Sequence, residues 1–141
     1  MFLFLSTVAV SWFEGDLMRH PPNKFEYDYI TDGIYIGTNL CCQVHFDKGL
    51  MAKGITADIS LEKEKLDAPF GVDYYLWLPT KNHFAPSQKQ LDVGVEFLND
   101  LVKRKVKVFV HCERGHGRAP TLVIAYLVCK GMSLKKAVAF L

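Results

Sequence analysis

The sequence predicts a single α/β domain, 1–141, built on a central, mostly parallel sheet flanked by helices, and three observations carry that prediction. Short β-prone runs alternate with helical patterns along the chain, the order in which crossover helices feed parallel strands. The run Lys107-Val108-Phe109-Val110 is too apolar for a strand with one wet face and reads as a buried central one. At 141 residues there is length for one sizeable core and not for two.

The elements follow in order. The opening MFLFLSTVAVSWF is too short for a membrane span, lacks a positive start, and runs straight into Glu14 and Asp16. It reads as an element docked on the core, with an interfacial anchor as the competing reading. A Pro-rich connector, RHPPNKF, closes this N-terminal segment at residue 25. In YDYITDGIYIG, Asp32-Gly33 between two β-prone runs signals a hairpin. Val44, Phe46, Leu50 and Met51 fall at roughly helical spacing from Cys41 to Lys53, with Gly54 where a helix C-cap would sit. Ile55 to Ile59 and Val72 to Leu78 read as strands.

After the loop PTKNHFAPS, Ser87 with Gln90 forms a capping-box pattern, and Leu91, Val95, Leu98 and Val102 supply an apolar helix stripe. Lys103 to Lys105 crowd its end, where cations suit the helix dipole. The buried strand at 107–110 follows, then a nearly all-apolar helix from Thr121 to Cys129 that stops at Gly131, and Met132-Ser133 opens another. That last pattern, LKKAVAFL, ends without a cap, which fits either a chain cut inside the helix or a helix that ends against a partner.

Composition sets outer bounds. Half the residues are apolar, 23% are charged and the formal net charge is +2 with the signs interspersed, so no basic face speaks for nucleic acid. The four cysteines, two of them the adjacent Cys41 and Cys42, follow neither a disulfide framework nor a zinc spacing. They read as reduced thiols in an intracellular, cytoplasmic protein.

The chemistry concentrates in VHCERGHGRAP. Cys112 sits just past the carboxyl end of a strand and just before a helix, where open α/β sheets bind ligands. Five residues separate it from Arg118, and two of them are Gly115 and Gly117. Such a loop can turn successive backbone N–H groups of Glu113, Arg114, Gly115, His116 and Gly117 toward one centre, and the helix adds its positive end. The result is an oxyanion cradle with a thiol at its floor. The same field favours the thiolate form of a cysteine, and Arg118 offers a planar fork to two phosphate oxygens. His111 reads as a neutral ring that orders the loop from behind. A structural reading also exists, in which Cys112 is a small buried hydrophobe and the glycines only make a tight turn.

At these residues the sequence resembles the dual-specificity subgroup of the cysteine-dependent protein tyrosine phosphatases, whose loop reads H-C-x-x-G-x-x-R; here it is HCERGHGR, 111–118. The likeness extends from ITDGIYIG and GITADISLE through PTKNHFAPS to GMSLKKA. It implies a phosphotyrosine phosphatase II-like fold, here without the last helix if the chain is cut. It also implies a two-step reaction in which Cys112 forms a phosphocysteine, an acid protonates the leaving alcohol and water hydrolyses the intermediate. No metal or other cofactor is implied.

The sequence departs from the family pattern twice. The family's general acid is an aspartate in a pattern like P-T-x-D-x-x-x-P, and this chain reads P-T-K-N-H-F-A-P with Asn82 in that place. An amide gives up no proton at neutral pH. Three explanations stay open: a natural or introduced Asp→Asn change that leaves a substrate trap, replacement by His83, or an acid elsewhere such as Asp73 or Asp92. Ala119 stands where the family usually carries a serine or threonine that helps the thiolate leave, which predicts slower breakdown of the phosphocysteine; Thr121 should face another side of the helix.

The expected activity is hydrolysis of phosphate monoesters on phosphoprotein Tyr, Ser or Thr or on a phospholipid head group, with membrane contact left open. The lipid hint lies in the layout alone, which resembles that of family members acting on phosphatidylglycerophosphate. The alternative is a catalytically impaired pseudophosphatase that binds phosphorylated partners; a sulfur-transfer or arsenate-reducing thiol enzyme is a third reading. Tyr74, Tyr75, Trp77 and Phe84 could line an entrance, though alternating strand aromatics are more often core. Cys129 reads as core.

Overall fold

Five strands form one sheet in the computed structural model, which describes residues 25–38 and 45–141. The apolar opening, most of the connector, and Cys41, Cys42 and Val44 lie outside those residues. Strands β1 (Tyr27–Thr31) and β2 (Ile34–Gly37) make the expected antiparallel hairpin, turned by Asp32 and Gly33 with positive φ of 53° and 81°. Strands β3 (Ile55–Glu62), β4 (Tyr74–Thr80) and β5 (Lys107–His111) complete the order β1-β2-β5-β3-β4, parallel from β2 onward. β5 therefore lies at the centre, as its apolar sequence requires.

Helix α1 (Lys48–Ala52) is shorter than the spacing predicts. Asp47 accepts from the Leu50 N–H at 2.9 Å and starts the helix there, so the described residues ahead of it stay irregular. Helix α2 (Gln88–Lys103) opens with the predicted capping box of Ser87 and Gln90. Helix α3 begins at Arg118, ahead of the predicted Thr121, and runs to Cys129. Pro120 does not delay it, because the first-turn N–H groups have no partner inside a helix. Helix α4 (Leu134–Phe140) starts from Ser133, whose hydroxyl accepts from the Lys136 N–H.

The sheet's two faces differ. Alternate β5 residues Val108 and Val110 join Ile34, Ile36, Ala57, Ile59 and Leu61 under α2, α3 and α4 in one apolar core. Burying that much aliphatic surface, at roughly 25 cal/mol per Å², is the main force holding the helices down. Gly94 lets α2 and α3 close: a Cβ there would lie 2.5 Å from Leu122 Cδ1. On the other face Phe109 packs with Phe46, Leu50 and Ile55, and the next residue on that side is His111.

Three side-chain expectations are corrected. Tyr75 and Trp77 are exposed and not core, because β4 is an edge strand, and Phe84 is exposed on the loop that follows it. Cys129 is exposed, since it falls on the last turn of α3. β3 runs past Ile59 to Glu62, and the polar Ser60 and Glu62 that hid this from the pattern are themselves buried.

Candidate active site

Strand β5 delivers His111 and Cys112 to the carboxyl end of the sheet, and the loop 112–117 turns directly into α3. Cys112 is only 2% exposed, so its thiol lies at the bottom of the loop. Gly115 has φ +71°, and a Cβ there would sit 3.0 Å from the Gly37 carbonyl oxygen. Both the turn and the close approach to β2 require glycine. Gly117 differs: a Cβ there meets nothing within 4 Å. Its carbonyl instead anchors the helix start, accepting from the Thr121 N–H at 3.0 Å and the Thr121 hydroxyl at 2.7 Å. That hydroxyl is committed to the helix, and Ala119 beside it has none.

Arg118 is 3% exposed and reaches across the sheet's carboxyl edge. Its Nη1 donates to the Thr80 carbonyl at 2.6 Å and to Glu64 Oε2 at 2.8 Å. Glu64 also accepts from the Asn82 N–H through Oε1 at 2.6 Å. Partial burial pushes the Glu64 carboxyl up, but the bonds from Arg118 and Asn82 outweigh it and hold the group at about 2. An ionised Glu64 thus locks the guanidinium and the 80–84 loop together. Glu64 was not singled out in the sequence; a carboxylate after a buried strand end is a weak signal without its partner's position.

Behind the loop, His111 is fully buried and stacked on Phe109 with ring centroids 5.1 Å apart and planes at 14°. Its Nε2 lies 2.7 Å from Asp67 Oδ2 and 3.2 Å from Asp58 Oδ1. Burial disfavours a charged ring, but the two carboxylates overcome it and raise His111 to about 10. That direction runs against the neutral ring the sequence suggests, because the carboxylates come from β3 and from the loop after it, far off in sequence. Burial likewise raises Asp58 despite the histidine beside it. The donor atoms of Asp58, Asp67 and His111 all lie within 4.8 Å of one another.

The remaining predicted acids separate by place. Asp73 precedes β4, with its N–H on the Thr56 carbonyl at 2.8 Å, at the end of the sheet opposite the loop. Asp92 accepts from Gln88 on α2 and flanks a groove with Cys129. Asn82 stays at the loop: its Oδ1 accepts from the His83 N–H at 3.1 Å and its Nδ2 donates to Glu113 Oε2 at 3.1 Å. His83 follows in a left-handed conformation, φ 67°. Arg114 and His116 lie on the loop's other flank, lining a cavity with Glu26, Gly37 and Pro120.

Residues 34–141 match the family described as dual specificity phosphatase, catalytic domain. Human dual specificity protein phosphatase 5 is 32% identical over 85 residues, covering 59% of this chain and 22% of the relative. The phosphatidylglycerophosphate phosphatase PTPMT2 of Arabidopsis thaliana is 34% identical over 67 residues, covering 47% of this chain and 29% of that one. The chain thus spans under a third of the length of these curated relatives. Among solved structures, the human tyrosine phosphatase-like serine/threonine/tyrosine-interacting protein superposes with a TM-score of 0.67 at 25% identity, covering 83% of this chain and 82% of that one.

Proposed function

Since the chain belongs to the dual specificity phosphatase catalytic domain family, we propose that it hydrolyses phosphate monoesters through a phosphocysteine on Cys112. One observation carries the reading: the strand–loop–helix turn sets Cys112 at the floor of the loop while Arg118, at the helix start, is already fixed by Glu64 and Thr80. Those bonds use Nη1, so the opposite Nε–Nη2 edge is the planar fork suited to two phosphate oxygens. A guanidinium fixed before the anion arrives loses little freedom on binding it. His111, buried one residue from the thiol and stacked on Phe109, holds the start of the loop in place.

In the first step the thiolate of Cys112 attacks phosphorus as the ester oxygen leaves; in the second, water attacks and the thiolate is released. Ala119 has no hydroxyl to assist that release, which supports slow breakdown of the intermediate. The substrate is a phosphorylated protein side chain or a phospholipid head group, the two classes that the relatives' names span. The loop mixes Glu113 with Arg114 and His116, which suits a single monoester better than a polyphosphate. The setting we propose is the reducing cytoplasm, which keeps Cys112 a thiol.

The second reading, a module that binds phosphorylated partners without turnover, is favoured by Asn82 at the acid position and by Ala119. Phosphate release from p-nitrophenyl phosphate, with Cys112→Ser as the blank, separates the two. Release that falls by about 10³-fold or more in the serine variant supports the enzyme. Equal rates in both proteins contradict it, and binding of a phosphopeptide or phosphoinositide vesicle without release supports the module.

A further inference from the structure

We propose that Asp58, Asp67 and His111, behind the phosphate loop, form a buried site for one divalent cation of the zinc type. Such an ion braces the loop from behind, whether or not Cys112 turns over an ester.

The sheet brings the three residues together. Asp58 on β3 pairs with Phe109 on β5, and Ser60 pairs with His111, so Asp58 and His111 project from one face of neighbouring parallel strands. Asp67 reaches in from the connector between β3 and β4. One donor atom from each residue lies within 4.8 Å of the other two, with Nε2 at 2.7 Å from Asp67 Oδ2 and 3.2 Å from Asp58 Oδ1. Zinc takes imidazole nitrogen and carboxylate oxygen at roughly 2.0–2.2 Å, so seating one ion among them needs side-chain shifts of under about an ångström.

Two observations favour an ion over a plain ion pair. Asp58 Oδ1 and Oδ2, Asp67 Oδ2 and His111 Nε2 are buried, and none of these atoms has a hydrogen-bond partner. Their contacts are close but too bent to be hydrogen bonds, and buried polar atoms are rarely left so. Atoms that converge on a common centre, and not on one another, have this arrangement. The charges also fail to close. Asp58 and His111 are wholly buried and the Asp67 side chain is 4% exposed, so two carboxylates face one ring away from water. A protonated ring cancels one of them, whereas a dication cancels both with the ring neutral. The ion and a proton compete for Nε2.

The donor set selects the class of metal. One imidazole nitrogen and two carboxylate oxygens suit zinc and its divalent transition-metal neighbours; calcium and magnesium favour fuller, all-oxygen shells, and no thiol is among the three for a softer ion. The connector supplies a way in. It is irregular from 63 to 73, and Leu66 and Phe70 on either side of Asp67 are 74% and 71% exposed, so Asp67 can swing outward without unpairing a strand. Because His111 ends β5 immediately before Cys112, the ion ties the base of the phosphate loop to that connector.

The experiment uses the full chain carrying Cys112→Ser, which removes the thiol that zinc would otherwise seek. It is stripped with a chelator and titrated with Zn²⁺, and bound metal, melting midpoint and X-ray absorption are read. One zinc per chain should bind and raise the melting midpoint, and the metal's inner shell should hold nitrogen and oxygen at about 2.0–2.2 Å with no sulfur at about 2.3 Å. Adding Asp67→Asn or Asp58→Asn should weaken binding by more than the roughly 10–100-fold that loss of an outer partner costs, and should abolish the rise in melting midpoint. Adding His83→Gln, on the loop after β4, should leave zinc binding as it was. No uptake, a sulfur shell, a melting midpoint that zinc does not move, full binding in Asp67→Asn, or loss in His83→Gln would each overturn the site. Where a carboxylate variant does not fold, uptake and the absorption shell of the chain with both carboxylates decide.

Discussion

Behind the nucleophile loop and along its rim, the chain solves the same problem of placing charge near an anion in opposite ways. Behind it, His111 is wholly buried between Asp58 and Asp67 and braced on Phe109. At the rim, Asn82 and Glu113 meet through a neutral amide in a half-open setting. A buried charge must be paired, because each unpaired ion there costs several kcal/mol; a rim group can borrow water. The contrast teaches that the first region is bound to the fold's stability, while the second is free to vary.

The sharpest way to break that contrast is to remove charge from each region in turn. His111→Ala leaves two carboxylates facing each other in the interior, and should cost about 3–5 kcal/mol of unfolding free energy in urea. Adding Asp67→Asn should recover part of that loss. If His111→Ala unfolds like the parent, the buried triad is not structural. Next in size, Glu64→Gln removes the ionised tether of Arg118 and the Asn82 loop, and should lower kcat/KM on p-nitrophenyl phosphate roughly tenfold by loosening the guanidinium's position; an unchanged value would show that the Thr80 carbonyl alone holds it.

The pH dependence runs in opposite directions for the two ion-paired groups. His111 is raised in the fold, so its stabilisation is complete below its ordinary value of 6.5 and is lost as pH rises through about 10. Glu64 is lowered, so its contribution is present above its ordinary 4.5 and is lost only as pH falls through about 2. Thermal melts should therefore drop between neutral pH and pH beyond about 10, and His111→Ala should show little of that drop; a parallel drop in both would assign it elsewhere. The smallest effect belongs to the rim: Asn82→Ala should shift unfolding by within about 0.5 kcal/mol, and a larger loss would mean the rim is part of the framework.

Legibility in the sequence follows the same division. The hairpin at Asp32-Gly33, the capping box at Ser87 and Gln90, and the central strand at 107–110 are local signals, and they fold as their residues predict. Cys112 and Arg118 were visible because strand, loop and helix are consecutive. What could not be read were partnerships between distant segments. Glu64 meets Arg118 across 54 positions, and Asp58 and Asp67 raise the pKa of His111 from β3 and the loop beyond it. The buried polar end of β3 ran against the rule that polar residues end a buried strand, and the pattern stopped at Ile59 for that reason. Tyr75 and Trp77 were misplaced because alternation does not say which strand lies at an edge.

The central claim is that Cys112 carries the phosphoryl group. The most direct measurement is an acid quench of the full chain mixed with p-nitrophenyl phosphate, followed by mass analysis of the peptide containing Cys112. The account predicts that this peptide gains one phosphoryl group within the first turnover, that the label accumulates because Ala119 gives no help in its release, and that Cys112→Ser shows no labelled thiol. Phosphate release with no phosphoryl on Cys112, or with the label on another residue, would contradict it.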